Sequence, residues 1–289
     1  MAVLETLQNN VPLFLGFTFI ISLAVGSFLN VVIYRLPKIL QKGWKSECRE
    51  LLELDSENHE PFTLSTPSSA CPSCGHKIRA WENIPVLSYV FLGGKCSACG
   101  THISLRYPII ELATGLLSVA IAWHFGFTLQ AFGALLLTWT LIALSMIDFD
   151  HQILPDNMTL PVLWLGLIFN LGTVYTDLFS AVVGAVAGYL SLWSVFWLFK
   201  LLTGKEGMGY GDFKLLALFG AWLGWQYLPQ IILLSSLVGA IIGISMIIFR
   251  GRDRNIPIPF GPYLAIAGWI SLMFGEEINQ SYFQLVGIG

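Results

Sequence analysis

The chain has 289 residues, of which 55% are hydrophobic and only 11% charged, and its mean hydropathy is positive. This composition excludes an ordinary soluble domain and points to a polytopic membrane protein. The formal net charge of −3 decides nothing by its sum, whereas the positions of the charges do. Five cysteines are too few for a disulfide scaffold, and residues 1–34 hold no Lys or Arg to form the basic start of a cleavable signal peptide.

A membrane span needs roughly 20 apolar residues, and the first, about Val11 to Tyr34, meets that before Arg35 ends it. Within it, Gly26-Ser27-Phe28-Leu29-Asn30 sets small and polar groups where lipid alone would favour Leu or Ile. Packing against another helix is the simpler reading; a direct part in a site is the other. Residues 35–107 form the one long polar segment and carry nine of the fifteen Lys and Arg. Its start places Trp44, Cys48, Leu51 and Leu52 at helical spacing among Lys45, Glu47, Arg49 and Glu50, as in an amphipathic surface helix. Cys48 sits on that helix as a small hydrophobe, and Glu53, Asp55, Glu57 and Glu60 read as a solvated linker.

Cys71-Pro72-Ser73-Cys74-Gly75-His76 and Cys96-Ser97-Ala98-Cys99-Gly100 follow, with 21 residues between the pairs. Each Cys-x-x-Cys turn presents two thiolates, and four together close the tetrahedral shell of zinc. Disulfides, an iron-sulfur cluster and a redox role are the rival readings, and His76 and His102 are read as structural. Further apolar runs extend over about Pro108 to Trp123, Thr128 to Ile147, Thr159 to Val174, Leu178 to Phe199, Leu215 to Tyr227, Ile231 to Phe249 and Phe260 to Phe274. The expectation is an all-α polytopic membrane protein of about eight transmembrane helices, with a cytoplasmic zinc-binding loop between the first and second. The run at 215–227 is short, which leaves a half-membrane or tilted helix open.

Outside residues 35–107, Lys and Arg occur only as Lys200, Lys205 and Lys214 and as Arg250, Arg252 and Arg254. With eight spans these fall in alternate loops, so the positive-inside rule puts all of them in the cytoplasm and both termini outside. The turns near Gly126, Asp177 and Pro229 carry none. The cysteine loop then lies in a reducing compartment, which favours zinc over disulfides.

Met208-Gly209-Tyr210-Gly211-Asp212-Phe213 sets a glycine-flanked carboxylate at the mouth of the run beginning at Leu215, and Asp148 ends the run from Leu141 to Ile147. An ionisable group at membrane depth is costly and suggests function. Both acids fall at cytoplasmic ends of spans, and the reading is that they meet. Two carboxylates about 4 Å apart repel by roughly 4 kcal/mol at an effective dielectric near 20, so the pair shares a proton. One partner then takes a proton from water while the other donates to a carbonyl oxygen, and no metal or covalent intermediate is needed. The competing reading is that each acid caps a helix start or ion-pairs in a loop. Asp150 points about 200° from Asp148 on a helix, Asp156 after Pro155 reads as a helix N-cap, His151 as a loop hydrogen-bonder, and Glu111 as a packing or hydrogen-bonding acid.

Gly209-Tyr210-Gly211-Asp212 resembles the GxGD motif of intramembrane-type aspartyl proteases, and with Ile147-Asp148-Phe149-Asp150-His151 the chain resembles the bacterial type IV prepilin peptidases. Gly26 to Val31, both cysteine pairs, Trp81-Glu82-Asn83-Ile84-Pro85, Gly93-Gly94-Lys95 and Pro257-Ile258-Pro259-Phe260-Gly261-Pro262 match the bifunctional pilus-type members, so the likeness covers nearly the whole chain. It implies Asp148 and Asp212 as catalytic residues that remove the basic leader of type IV prepilins and secretion-system pseudopilins after a glycine. It further implies methylation of the new amino terminus, usually a phenylalanine, with S-adenosylmethionine near Gly94 and Lys95; as residues these could equally be a turn that presents the Cys96 knuckle. The domains would be a first transmembrane helix (1–34), a cytoplasmic loop with zinc on Cys71, Cys74, Cys96 and Cys99 (35–107), and a membrane aspartyl protease domain of about seven helices (108–289). The bilayer and the prepilins are the expected partners, in the bacterial inner membrane, with no nucleic acid. A protease with a purely structural cysteine loop, a non-catalytic scaffold, and a proton- or metal-coupled transporter are the other readings. A transporter predicts acids near the bilayer midplane.

Overall fold

A computed structural model of the protein describes residues 2–54, 62–250 and 259–286. Asp55, Glu57 and Glu60 of the acidic linker, Arg252, Arg254, Pro257 and Ile258 lie outside the described residues. The described residues are helical, without strands, and the chain divides into two compact units, Met1–Phe127 and Thr128–Gly289. Every one of the eight apolar runs is a helix. Among the described residues, five helices are long and apolar enough to cross a membrane, as in a multi-pass membrane protein.

In the first unit a short helix α1 (Ala2–Asn9) precedes α2 (Val11–Leu51). The Asn10 side chain caps α2 by accepting from the Leu13 amide, and Pro12 falls in the first turn, where its missing N–H costs nothing. At 1.5 Å per residue the 41 residues of α2 run about 60 Å, twice the hydrocarbon thickness. The expected span at 11–34 is therefore the first part of a longer rod, and the expected surface helix around Trp44 and Cys48 is its continuation, with both side chains exposed. The reason is that residues 38–51 are mostly good helix formers and Pro37 is accommodated inside the helix. After the short helix α3 (Leu87–Phe91), α4 (Arg106–Phe125) packs along α2, so this unit takes in the span after the loop as well as the one before it.

Thr18, Ser22, Gly26, Ser27 and Asn30 are buried on α2, while Phe17, Ile20, Ile21 and Phe28 are exposed. Large apolar groups thus face outward and small or polar ones face the neighbouring helix, the usual arrangement in a bilayer. A Cβ on Gly26 would stand 2.8 Å from the Glu111 backbone, and the Asn30 amide donates to the Tyr107 carbonyl at 3.2 Å. Gly26 and Asn30 thus pack against the helix that carries Tyr107 and Glu111.

The second unit comprises α5 (Leu129–His151), α6 (Asp156–Leu171), α7 (Leu178–Thr203), α8 (Tyr210–Leu223), α9 (Leu228–Arg250) and α10 (Gly261–Val286). Its centre is α8, in which every residue from Asp212 to Leu223 except Lys214 is buried. A helix apolar on all sides must be surrounded by protein, and α6, α7 and α10 pack around it. This is why the run at 215–227 looked too short for a span: fourteen residues rise about 21 Å. Asn170 on α6 ties off the far end, donating to the Ala221 and Trp222 carbonyls and accepting from the Tyr175 and Thr176 amides. α10 loses helical geometry at Phe274, where the last apolar run ends.

α7 and α8 approach through Gly184, Gly188 and Gly220. A Cβ on Gly188 would lie 2.7 Å from the Leu216 carbonyl oxygen, and one on Gly220 would collide with the Gly184 backbone. Backbone cannot swing aside as a side-chain tip can. Gly220→Ala is therefore expected to destabilise the protein by about 2 kcal/mol or more, read as a lower unfolding midpoint in detergent.

Candidate functional site

Asp148 lies in the last turn of α5 and is only 5% exposed, whereas Asp150 is exposed on the other side. Gln152, in the left-handed conformation, closes the helix by donating to the Asp148 carbonyl, so the Asp148 side chain takes no part in capping. Asp212 is in the first turn of α8 behind the extended N-cap Gly209, and is 7% exposed. An anionic group suits that helix start. The segments that carry Asp148 and Asp212 share a neighbour, Leu154. A Cβ on Gly211 would stand 2.7 Å from Leu154 Cβ, and one on Gly261 would stand 3.2 Å from Leu154 Cδ2 and 2.7 Å from Asp148 Oδ2. The C-terminal end of α5 and the N-terminal ends of α8 and α10 therefore meet around Leu154. Gly211 is needed for that close approach, while Gly209 has an ordinary backbone and a Cβ there would make only a van der Waals contact, 3.7 Å from Asp212 Oδ2.

The basic residue nearest in sequence to Asp212 is already engaged. Lys214 pairs with Asp156 through both carboxylate oxygens, at 2.6 and 2.7 Å. Asp156 is thus the first residue of α6 and a lysine partner, and Pro155 occupies the N-cap position expected for it. His151 is exposed. Two buried carboxylates, neither ion-paired among the described residues, offer one group to accept a proton from water and one to donate to a carbonyl or a leaving amine.

In the first unit the four thiols of Cys71, Cys74, Cys96 and Cys99 are free, and their sulfurs lie within 4.8 Å of one another. Cys71 to Cys99 is 3.8 Å and Cys74 to Cys96 is 4.0 Å. A tetrahedron with metal-sulfur arms of about 2.3 Å has edges of about 3.8 Å, whereas a disulfide is about 2.05 Å long. The two knuckles are copies of each other. In each the first Cys amide donates to the carbonyl five residues on, to His76 or Thr101, and its carbonyl accepts from Gly75 or Gly100, both at φ +72°. Hydrogen bonding with Thr101 pulls the Cys99 thiol down to about 6, while Cys74, despite the His76 amide, is pushed up by the neighbouring sulfurs to about 12. The four cannot all be thiolates without a cation among them, and the donor set fits one.

Glu82 joins the knuckles. Its carboxylate accepts from the Arg79 amide, from the Ser97 hydroxyl of the second knuckle and meets the His76 ring of the first at 3.2 Å. The Arg79 amide foremost holds Glu82 down to about 2, so this tie is present above the ordinary glutamate range and lost only as pH falls towards about 2. Gly93 and Gly94, both at positive φ, turn the chain into the second knuckle, and the Tyr89 ring fills the space where a Gly94 side chain would be. The exposed Lys95 forms an isolated bridge with His102. Glu111, buried on α4, accepts from the Val86 amide at 2.7 Å and from Ser27, which is the hydrogen-bonding role expected of it.

Residues 20–125 match the model of the bacterial peptidase A24 N-terminal domain, and residues 135–244 match that of the type IV leader peptidase family. A Pseudomonas aeruginosa protein named prepilin leader peptidase/N-methyltransferase is 59% identical over 288 residues, 99% of each chain. The chain belongs to the type IV leader peptidase family. Members of the family bearing the same name in Stutzerimonas stutzeri and Aeromonas hydrophila are 58% and 55% identical, each over 98% of this chain. No solved structure matches. The cysteines fall in the first matched region, and Asp148 and Asp212 in the second.

Three contributors to these sites have no role assigned from sequence: Glu82, Leu154 and Gly261. Glu82 and Gly261 stand inside quoted motifs, Trp81 to Pro85 and Pro257 to Pro262, and Gly-Pro at 261–262 is a helix-start signal. Nothing in the local sequence marks Leu154. Glu82→Gln is expected to weaken retention of a metal at the four cysteines by about tenfold or more, measured by chelator competition on the purified protein.

Proposed function

We propose that Asp148 and Asp212 are the catalytic pair of a leader peptidase that removes the basic leader of type IV prepilins, and that the same chain then methylates the new amino terminus. The observation that carries this reading is the convergence around Leu154 of the helix ends that bear two buried carboxylates, in a chain that belongs to the leader peptidase family throughout its length. The ionised partner takes a proton from water, and the protonated partner donates first to the scissile carbonyl and then to the leaving amine. The protein resides in the bacterial inner membrane with both termini periplasmic. All its Lys and Arg then face the cytoplasm, where a basic leader is also retained. Pseudopilins of secretion systems share that leader chemistry and are proposed as further substrates.

Zinc is the metal proposed for Cys71, Cys74, Cys96 and Cys99, supported by their sulfur spacing and by a shell of four protein ligands, which leaves no open position for chemistry. Its role is to hold the loop together. S-adenosylmethionine, when bound, supplies the methyl group. Lys95 is an exposed cation suited to the donor's carboxylate, and Gly94, filled by Tyr89, fits as the turn that presents Lys95 and not as a ligand contact. A transporter is disfavoured, because both acids stand at helix ends and no helix of the second unit breaks at them.

The test is cleavage of a prepilin and methylation of a precleaved pilin by wild type, Asp148→Asn, Asp212→Asn and Cys71→Ser in membranes. Each aspartate variant is expected to lose cleavage by at least about 10³-fold and to methylate precleaved pilin normally. An aspartate variant that still cleaves removes that acid from the pair. Failure of wild type to methylate precleaved pilin would leave a protease with a structural loop.

A further inference from the structure

We infer that Gly261 is a positioning residue of the cleavage reaction: its backbone N–H holds one oxygen of Asp148, and its lack of a side chain provides the space that oxygen occupies. This rests on the reading of Asp148 as a catalytic group. The bond runs from the Gly261 amide to Asp148 Oδ2 at 3.0 Å, joining residues 113 positions apart in the interior of the second unit.

The start of α10 is built to free this one donor. Pro262 has no N–H, and the amides of Tyr263 and Leu264 both turn back onto the Phe260 carbonyl at 3.1 Å. Of the first four residues of the helix, only Gly261 therefore directs an N–H away from its own turn, and it directs it at the carboxylate. The positive end of the helix dipole acts in the same direction. With Oδ2 engaged, Oδ1 is the oxygen of Asp148 that can face a reacting group. A carboxylate in the last turn of a helix would otherwise swing between rotamers, and a bond to rigid backbone selects one.

Sterics reinforce the hydrogen bond. An alanine Cβ at 261 would meet Asp148 Oδ2 at 2.7 Å, Asp148 Cγ at 3.2 Å and Leu154 Cδ2 at 3.2 Å. All three atoms belong to side-chain ends, so the fold accommodates the methyl group by swinging the carboxylate, which is the group that catalysis needs in place. Gly268 on the same helix is the contrasting case, because a Cβ there would run into the ring of the fully buried Phe219. That ring has nowhere to go, and the cost falls on stability.

The experiment compares Gly261→Ala, Gly268→Ala and Asp148→Asn in the purified full-length protein, reading kcat and KM for prepilin cleavage, methylation of precleaved pilin and the unfolding midpoint. Gly261→Ala is expected to lower kcat on the order of 10²-fold, as for an angstrom-scale misplacement of a catalytic group. KM, methylation and the unfolding midpoint should not change. Gly268→Ala is expected to lower the midpoint while the protein that remains folded keeps its kcat. Wild-type kcat in Gly261→Ala, or a loss no larger than the loss of folded protein, overturns the inference while Asp148→Asn remains inactive; an active Asp148→Asn overturns the proposed pair itself. Should Gly261→Ala not fold, an ester in place of the 261 amide, introduced as glycolic acid by nonsense suppression, removes the N–H alone. Reduced kcat at unchanged KM supports the inference, and wild-type kcat contradicts it.

Discussion

Two carboxylates are withdrawn from water at the ends of helices, and such groups persist inside a membrane protein only where their surroundings supply hydrogen bonds or a function that repays the cost. Asp148 terminates α5 with its backbone used for the cap and its side chain on the Gly261 amide. Asp212 opens α8, the helix that every other packing choice in the second unit protects. Glycines on α7 bring its backbone against α8, Asn170 closes the far end, and Lys214 is drawn off to Asp156. The result is two buried acids at helix ends, neither in an ion pair among the described residues. Catalytic geometry of this kind is set by rigid elements more than by loops.

The first unit solves a different problem, ordering a long polar segment with little core of its own. Its means are a buried Arg35 that donates to the carbonyls of Thr63, Leu64 and Pro67, a buried Glu111 that holds the Val86 amide, and the four-cysteine cluster braced by Glu82. Each is a charged or ligating group meeting backbone, which orders chain without apolar area. The proposed cleavage site and the four-cysteine cluster thus lie in units that are ordered by different chemistry.

Much of this is legible in the sequence because membrane constraints are blunt. Apolar runs, alternate basic loops and two Cys-x-x-Cys pairs each have few structural solutions. Asp148 could be separated from Asp150 because a helix period of 3.6 puts them on opposite faces, and the helix does continue to His151. What stayed hidden depends on tertiary contact. The passage of Asp156 from cap to ion pair and the burial of the short α8 are decided by partners distant in sequence, whereas the length of α2 beyond Arg35 follows from local helix propensity across a tolerated proline. Gly261 is the sharpest example. Its Pro-Phe-Gly-Pro setting announces a helix start, but only the fold reveals that the amide so freed faces an acid 113 residues away.

The claim on which the rest turns is that the two aspartates activate water directly. Single-turnover cleavage of a prepilin in oxygen-18 water, with the released leader analysed by mass spectrometry, tests it most simply. Direct attack predicts that the new carboxylate of the leader carries one oxygen-18 atom in the first turnover. A first-turnover leader without label, with the label found instead on Asp148 or Asp212, would mean that an aspartate attacks the peptide itself, and would contradict a pair that works only by moving protons.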